Sequence, residues 1–286
     1  MKIERIEMIY SQGTAEKRED GFIVNPPFFG VVDGFSAPYH YKMEQNFFDE
    51  MSGGEMVRQV VLETFYGAKP NSSLEDLILQ VNRRIGEIQT AQRIPIDRSD
   101  LLAGASFAFV KVKVEAETIE VIQGGNCFAV WQHVSGKIGT TKNQAFYHEA
   151  DANLEISLLL EKHKGNRKEM WVDFYPILCK MRRRDYNNPN SETGFAVLNG
   201  QSQLAQCWQK VEIPLREIEI LLLYTDGFTR LALNGEKREL KLLVSIYQKE
   251  RLNQILKETR QIETKLKKSS YIDYQEATAV AVKFGG

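Results

Sequence analysis

Two short segments of the chain end alike. Gly30-Val31-Val32-Asp33-Gly34-Phe35-Ser36 and Leu223-Tyr224-Thr225-Asp226-Gly227-Phe228-Thr229 each run from apolar residues straight into Asp-Gly. An aspartate at a strand's end holds a carboxylate at the rim of a sheet, and the following glycine lets the backbone turn sharply. Asp-Gly also terminates strands that carry no chemistry. Two copies, each after an apolar strand, allow carboxylates from separate strands to converge on one cation. Oxygen ligands suit hard divalent ions such as Mg²⁺ or Mn²⁺, and the glycine leaves its own carbonyl accessible as a further ligand. Other carboxylates stand where such a site needs them. Glu19-Asp20 precedes the extended run Gly21-Phe22-Ile23-Val24, which pairs naturally with the strand ending at Asp33. Asp273 and Glu276 precede the last apolar run.

Competing chemistries lack their residues. There is no GxxxxGK[ST] phosphate loop and no GxSxG nucleophile elbow. The histidines, His40, His133, His148 and His163, show no HExxH and no regular spacing, so zinc is not indicated and each reads as a surface or packing residue. Asp33 and Asp226 are each followed by Gly-Phe rather than by the DxD arrangement of aspartyl-phosphate enzymes.

The elements that must carry these residues follow from apolar spacing. Residues 28 to 32 form a short apolar strand bounded by Pro27 and Gly34. Met56, Val57, Val60, Val61 and Phe65 make one stripe of a helix over 54 to 65. A second helix starts near Ser72, with Ser72 and Glu75 as a capping box, and carries Leu74, Leu77, Ile78, Val81, Ile85 and Ile88 on one face. Strands are predicted over 106 to 114, 118 to 123, 127 to 134, 194 to 198, 218 to 224 and 277 to 284. Two helices fill 238 to 267. Residues 145 to 190 take no clear assignment, and the run Arg182-Arg183-Arg184 within them reads as solvated surface. Strands and paired helices in separate groups argue for antiparallel sheets covered by helix pairs, not for a doubly wound parallel sheet.

Composition bounds the rest. The 286 residues suffice for one large domain or two small ones, and for a proper core. Thirty-seven basic residues nearly cancel 38 acidic ones, so no net field draws nucleic acid or anionic lipid. No apolar run reaches the ~20 residues of a membrane span, and the N-terminus lacks the apolar stretch of a signal peptide. Three scattered cysteines, Cys127, Cys179 and Cys207, suit a reducing compartment, so a cytoplasmic location is expected.

The motifs, in order, resemble the type 2C metal-dependent serine/threonine protein phosphatases over nearly the whole chain. Glu19-Asp20 resembles the early acidic pair, and Phe29-Gly30-Val31-Val32-Asp33-Gly34 the first metal motif. Gly104-Ala105-Ser106 and Gly124-Gly125-Asn126-Cys127 resemble the central hairpin elements. Leu221-Leu222-Leu223-Tyr224-Thr225-Asp226-Gly227 resembles the second metal motif, and residues 276 to 282 the closing strand.

The resemblance implies an α+β fold, a four-layer α-β-β-α sandwich of two antiparallel sheets flanked by helix pairs, in one domain over 1 to 286. It implies a binuclear Mn²⁺ or Mg²⁺ centre with Asp33 bridging both ions, Gly34 and Glu19-Asp20 on one side, and Asp226 on the other. Asp33 and Asp226 would be the catalytic pair, and the substrate a phosphorylated protein. The sequence also departs from that pattern. Gln275 stands where the family carries its last metal aspartate, leaving Asp273 or Glu276 to substitute, with strand alternation favouring Asp273, which shares a side with position 275; Asn126 and Arg230 replace further carboxylates. A phosphate-gripping arginine of several members falls near Ala15, so Lys17 or Arg18 would have to serve.

Overall fold

The computed structural model describes residues 2–38, 48–231, 236–269 and 274–285. His40 and Asp273 lie outside the described residues. The chain forms strands β1 (Lys2–Ser11), β2 (Asp20–Asn25) and β3 (Phe28–Phe35), then helices α1 (Gly53–Tyr66) and α2 (Leu74–Ala91). Strands β4 (Gly104–Lys113), β5 (Thr118–Gly124), β6 (Phe128–His133) and β7 (Ile138–Thr140) follow. Helices α3 (Phe146–Lys162), α4 (Arg167–Asp185) and the short α5 (Leu204–Cys207) precede β8 (Gln209–Pro214) and β9 (Ile218–Tyr224). Helix α6 (Lys237–Ser269) and β10 (Ala277–Gly285) complete the described elements.

The strands make two five-stranded sheets, β1-β10-β9-β6-β7 and β2-β3-β4-β5-β8. Every strand pairing in them is antiparallel. Side-chain alternation divides each strand between two apolar layers. In β3, Phe29 and Val31 enter the layer between the sheets, while Phe28 and Val32 face α1 and α2. In β9, Leu221 and Leu223 face the opposite sheet, while Ile220, Leu222 and Tyr224 pack under α6. Each fully buried Phe, Leu or Val contributes about 1.5–3 kcal/mol by leaving water. The result is the α-β-β-α sandwich expected from the ordering of strands and helix pairs.

Ser52 caps α1: its side chain accepts from the Glu55 N–H, and Glu55 reaches back to the Ser52 N–H, a capping box at the helix entry. The cap of α2 is Ser73 rather than Ser72, with the Asp76 N–H as donor; adjacent serines leave the choice to backbone geometry. The α6 segment breaks at Arg251 (φ 71°), giving the two helices expected there.

Several elements depart from the sequence reading, the short β7, α5 and β8 among them, which that reading did not include. Strand β1 was not foreseen, because its charged residues alternate with apolar ones on an edge strand. Residues 194 to 198 form only bridges, Phe195 to Tyr186 and Leu198 to Ala105, instead of a strand. The unassigned stretch is the helix pair α3 and α4, which lies outside both sheets and so keeps only part of its apolar surface buried. Among the described residues no helix is long and apolar enough to cross a membrane. All three cysteines are free.

Candidate functional site

Alternation also positions the carboxylates. Asp33 continues the inward face of Phe29 and Val31, and Asp20 continues that of Phe22 and Val24. In the antiparallel register Asp20 stands directly opposite Asp33, where side chains lie about 5 Å apart and like charges repel. Both therefore enter the end of the inter-sheet layer. Asp226 comes to them from the other sheet, two residues beyond the end of β9. The join is made by Thr225, whose hydroxyl donates to Asp20 Oδ2 at 2.8 Å and accepts from the Thr278 N–H at 3.0 Å. One residue thus ties β9, β10 and β2 together.

The glycines are needed here for close approach. A Cβ on Gly34 would stand 2.6 Å from the Gly54 carbonyl oxygen and 2.8 Å from that of Glu19. A Cβ on Gly227 would collide with the Glu276 carbonyl oxygen.

The electrostatics show how tightly the acids are gathered. Burial pushes the Asp33 carboxyl well above the usual carboxylate range, and Asp20, Asp226, Glu276 and Glu19 push it further. Burial and Glu276 likewise raise Asp20, against the hydrogen bond from Thr225. Burial and then Glu149 raise Asp226, opposed by the Arg230 guanidinium and the Gly227 N–H. Burial raises the Cys127 thiol, and Asp33, Asp20 and Asp226 all add to it, so the three carboxylates surround one region. No described group donates a hydrogen bond to the Asp33 side chain.

The surrounding acids are each turned onto an internal donor. Glu19 Oε1 accepts from Ser52 (2.6 Å) and Ser36 (3.1 Å). Glu276 accepts from Tyr10 (2.7 Å) and from the Glu19 N–H (3.0 Å). Asp226 accepts from Asn126 Nδ2 at 3.1 Å, and the same amide donates to Glu149 at 2.7 Å. Among the described residues no three Asp, Glu, His or Cys side chains form a ready-made metal-holding group. In kind and charge, however, the set fits a hard divalent cation: oxygen donors only, several negative charges, and a central carboxylate with no hydrogen-bond donor among the described residues.

Of the residues singled out from sequence, Glu19, Asp20, Asp33, Gly34 and Asp226 lie at this one end of the sandwich. Gln275 lines a cleft of about 580 Å³ beside Asp226, together with Asn143, His148, Glu149 and Arg230. Arg18 lies over the Tyr10 ring at 4.1 Å, and Lys17 sits 3.8 Å from Glu55.

Arg183 and Arg184 of the arginine run are exposed, as expected of a solvated surface, but Arg182 is not. Arg182 is only 7% exposed; its guanidinium donates to the Ser36 carbonyl at 3.2 Å and lies over the Phe35 ring at 4.8 Å. Arg183 reaches Asp100 at 3.7 Å, and Arg184 binds Asp185 at 2.7 Å and Asp151 at 2.9 Å. Nor is His148 a plain packing residue: its Nδ1 stands 2.8 Å from the fully buried Asp185. Sequence reasoning missed Arg182, His148, Asp185 and Glu149 together, since all lie on α3 and α4, where periodicity was unclear. A signal was present only in the polar residues sitting among apolar neighbours.

Comparison with known structures agrees with this architecture. No family model matches the chain, and no curated protein matches it by sequence. In three dimensions it has the fold of type 2C serine/threonine phosphatases. The serine/threonine phosphatase Stp1 from Staphylococcus aureus superposes with TM-score 0.56 at 14% identity, covering 100% of this chain and 96% of that one. The catalytic domain of the serine/threonine phosphatase PstP, solved with two manganese ions, gives 0.58 at 12% identity, covering 98% and 97%. PppA, a regulatory component of the type VI secretion system of Pseudomonas aeruginosa, gives 0.58 at 14%, covering 98% and 96%. Identities this low establish the fold and leave the chemistry to the residues.

Proposed function

We propose that this chain is a metal-dependent phosphoric monoester hydrolase acting on phosphoserine or phosphothreonine of other proteins. The observation that carries the reading is Asp33: a recessed carboxylate, without a hydrogen-bond donor among the described residues, at the focus of four other carboxylates. Such a group is costly in isolation and becomes favourable when a cation neutralises it. Asp33, Asp20 and Asp226 would hold Mn²⁺ or Mg²⁺, with Glu19 and the Gly34 carbonyl on the same side as Asp20. When bound, such ions lower the pKa of water and offset charge on phosphoryl oxygens. The chain's own contribution is to fix the acids: Thr225 orients Asp20, the pairing of β2 with β3 sets Asp20 against Asp33, and Asn126 orients Asp226. The apolar inter-sheet layer behind them keeps water from the rear of the site.

A second reading has one observation in its favour. Arg230 acts on Asp226 as an internal cation, and Gln275 adds no charge beside it. A protein that supplies its own counter-charge there could serve as a phosphoprotein-binding regulatory module with weakened catalysis. Hydrolysis of p-nitrophenyl phosphate and of a phosphothreonine peptide, each with Mn²⁺, with Mg²⁺ and with EDTA, separates the two. Turnover with metal that EDTA abolishes supports the hydrolase. Peptide binding without turnover in any metal overturns it in favour of the module.

A further inference from the structure

Helix α3 brings a histidine into the cleft that holds Asp226. His148 lines that cleft with Glu149, Arg230 and Gln275, although only 7% of its surface is exposed. Its Nδ1 is committed to Asp185 Oδ2 at 2.8 Å. Asp185 is itself held on every side, by Arg184 through two contacts at 2.7 and 2.9 Å and by Thr193 at 2.5 Å. Burial alone would raise the Asp185 carboxyl, but the hydrogen bonds from His148, Arg184 and Thr193 hold it down at about 2. It is therefore a fixed negative charge behind the ring, and as an acceptor it requires the proton on Nδ1. The other ring nitrogen, Nε2, has no partner among the described residues. The ring is clamped by Tyr186 and Phe195, with centroids 5.4 and 5.5 Å away, and Tyr186 in turn packs 5.4 Å from Phe35, two residues past Asp33.

A carboxylate that orients one nitrogen of an imidazole lining a cleft, and leaves the other nitrogen without a partner among the described residues, is the arrangement that general acid–base chemistry uses. Phosphate monoesters of serine or threonine need such a group, because the alkoxide they release is strongly basic. We propose that His148, positioned by Asp185, is the general acid that protonates the leaving alkoxide. The assignment rests on the hydrolase reading above. In the step, the water oxygen forms a new bond to phosphorus while the P–O bond to the side chain breaks, its electron pair staying on the alkoxide oxygen. That oxygen takes the proton from Nε2, and the proton released by the attacking water restores the ring through solvent. The products are the free hydroxyl side chain and hydrogen phosphate. The titratable and charged groups around the ring are Asp185, Arg184 and the neutral Tyr186 from α4 and its end, Glu149 on α3, and Asp226, Arg230 and Glu239 across the cleft.

A merely structural His148, stapling α3 to α4, would cost the same on every substrate. The test is therefore kcat/KM for p-nitrophenyl phosphate, whose leaving group needs no proton, against a phosphothreonine peptide, in Mn²⁺, for the wild type, His148→Gln and His148→Ala. A general acid contributes about 10²–10⁴-fold where it is needed. Both rates should fall, with the loss on the peptide exceeding the loss on the aryl ester by at least about tenfold. Equal losses, or none, overturn the assignment. Should neither variant fold, as judged by thermal melting, the wild type is tested with a series of aryl and alkyl phosphates. A shallow dependence on leaving-group pKa supports an acid, and a steep one overturns it. A wild type that hydrolyses neither ester with metal refutes the hydrolase reading and this assignment with it, whereas a wild type that hydrolyses both while the variants lose equally refutes the assignment alone.

Discussion

Removing the central carboxylate should stabilise the metal-free protein while ending its response to metal. Asp33 and Asp20 are directly paired across β2 and β3, which puts their side chains about 5 Å apart. At an effective dielectric constant of about 20, two unit charges at that separation repel by about 3 kcal/mol. Protonation of one member caps the realised cost, so Asp33→Asn should gain about 1–3 kcal/mol in EDTA near neutral pH. For a chain of this length that is a rise of about 2–5 °C in the melting temperature. The pH dependence supplies the control. Asp20 is raised from 3.8 to about 8 and Asp226 from 3.8 to about 6, chiefly by burial. Carboxyls raised in the folded state contribute stability that is fully present below their unfolded pKa near 4. That stability is lost as pH rises through about 6 and about 8. Metal-free wild type should therefore melt lower at pH 8 than at pH 5, and the advantage of Asp33→Asn should shrink towards pH 5. Calorimetric or dichroic melts of both proteins, with and without Mn²⁺, measure it; Mn²⁺ should raise only the wild type. A variant that melts at or below the wild type in EDTA at pH 8, or a gap that ignores pH, would refute the electrostatic account of the site.

Two further outcomes follow from the same geometry. Asp185→Asn breaks a buried charge network with His148 and Arg184, so it should cost about 3–5 kcal/mol in urea unfolding at pH 7; because the wild-type carboxyl is depressed from 3.8 to about 2, its contribution should fade as pH drops from about 4 to 2, closing the gap between the two proteins. Gln275→Asp adds a carboxylate to the cleft beside Asp226, and isothermal titration should show Mn²⁺ binding tighter by about tenfold, since ligand charge governs divalent affinity; unchanged affinity would remove position 275 from the site.

Much of the core and part of the site are local properties of the chain, and the sequence determined them. Apolar steps of three and four placed α1 and α2, and alternation ending in Asp-Gly placed β3, β9 and their acids, because a strand directs every second residue to one face. Asp20, Asp33 and Asp226 could be nominated on that ground. Their convergence could not, since it depends on a cross-strand register and on the Thr225 tie between sheets, contacts made across 205 residues of chain. The α3 and α4 pair was beyond local reading for a different reason. These helices lie off the sandwich and bury only part of a face, which blurs the hydrophobic period. Their polar residues gain meaning only once folding sets His148 on Asp185 and Arg182 on Ser36. Periodicity records which face a segment buries; which charges then meet is decided by packing alone.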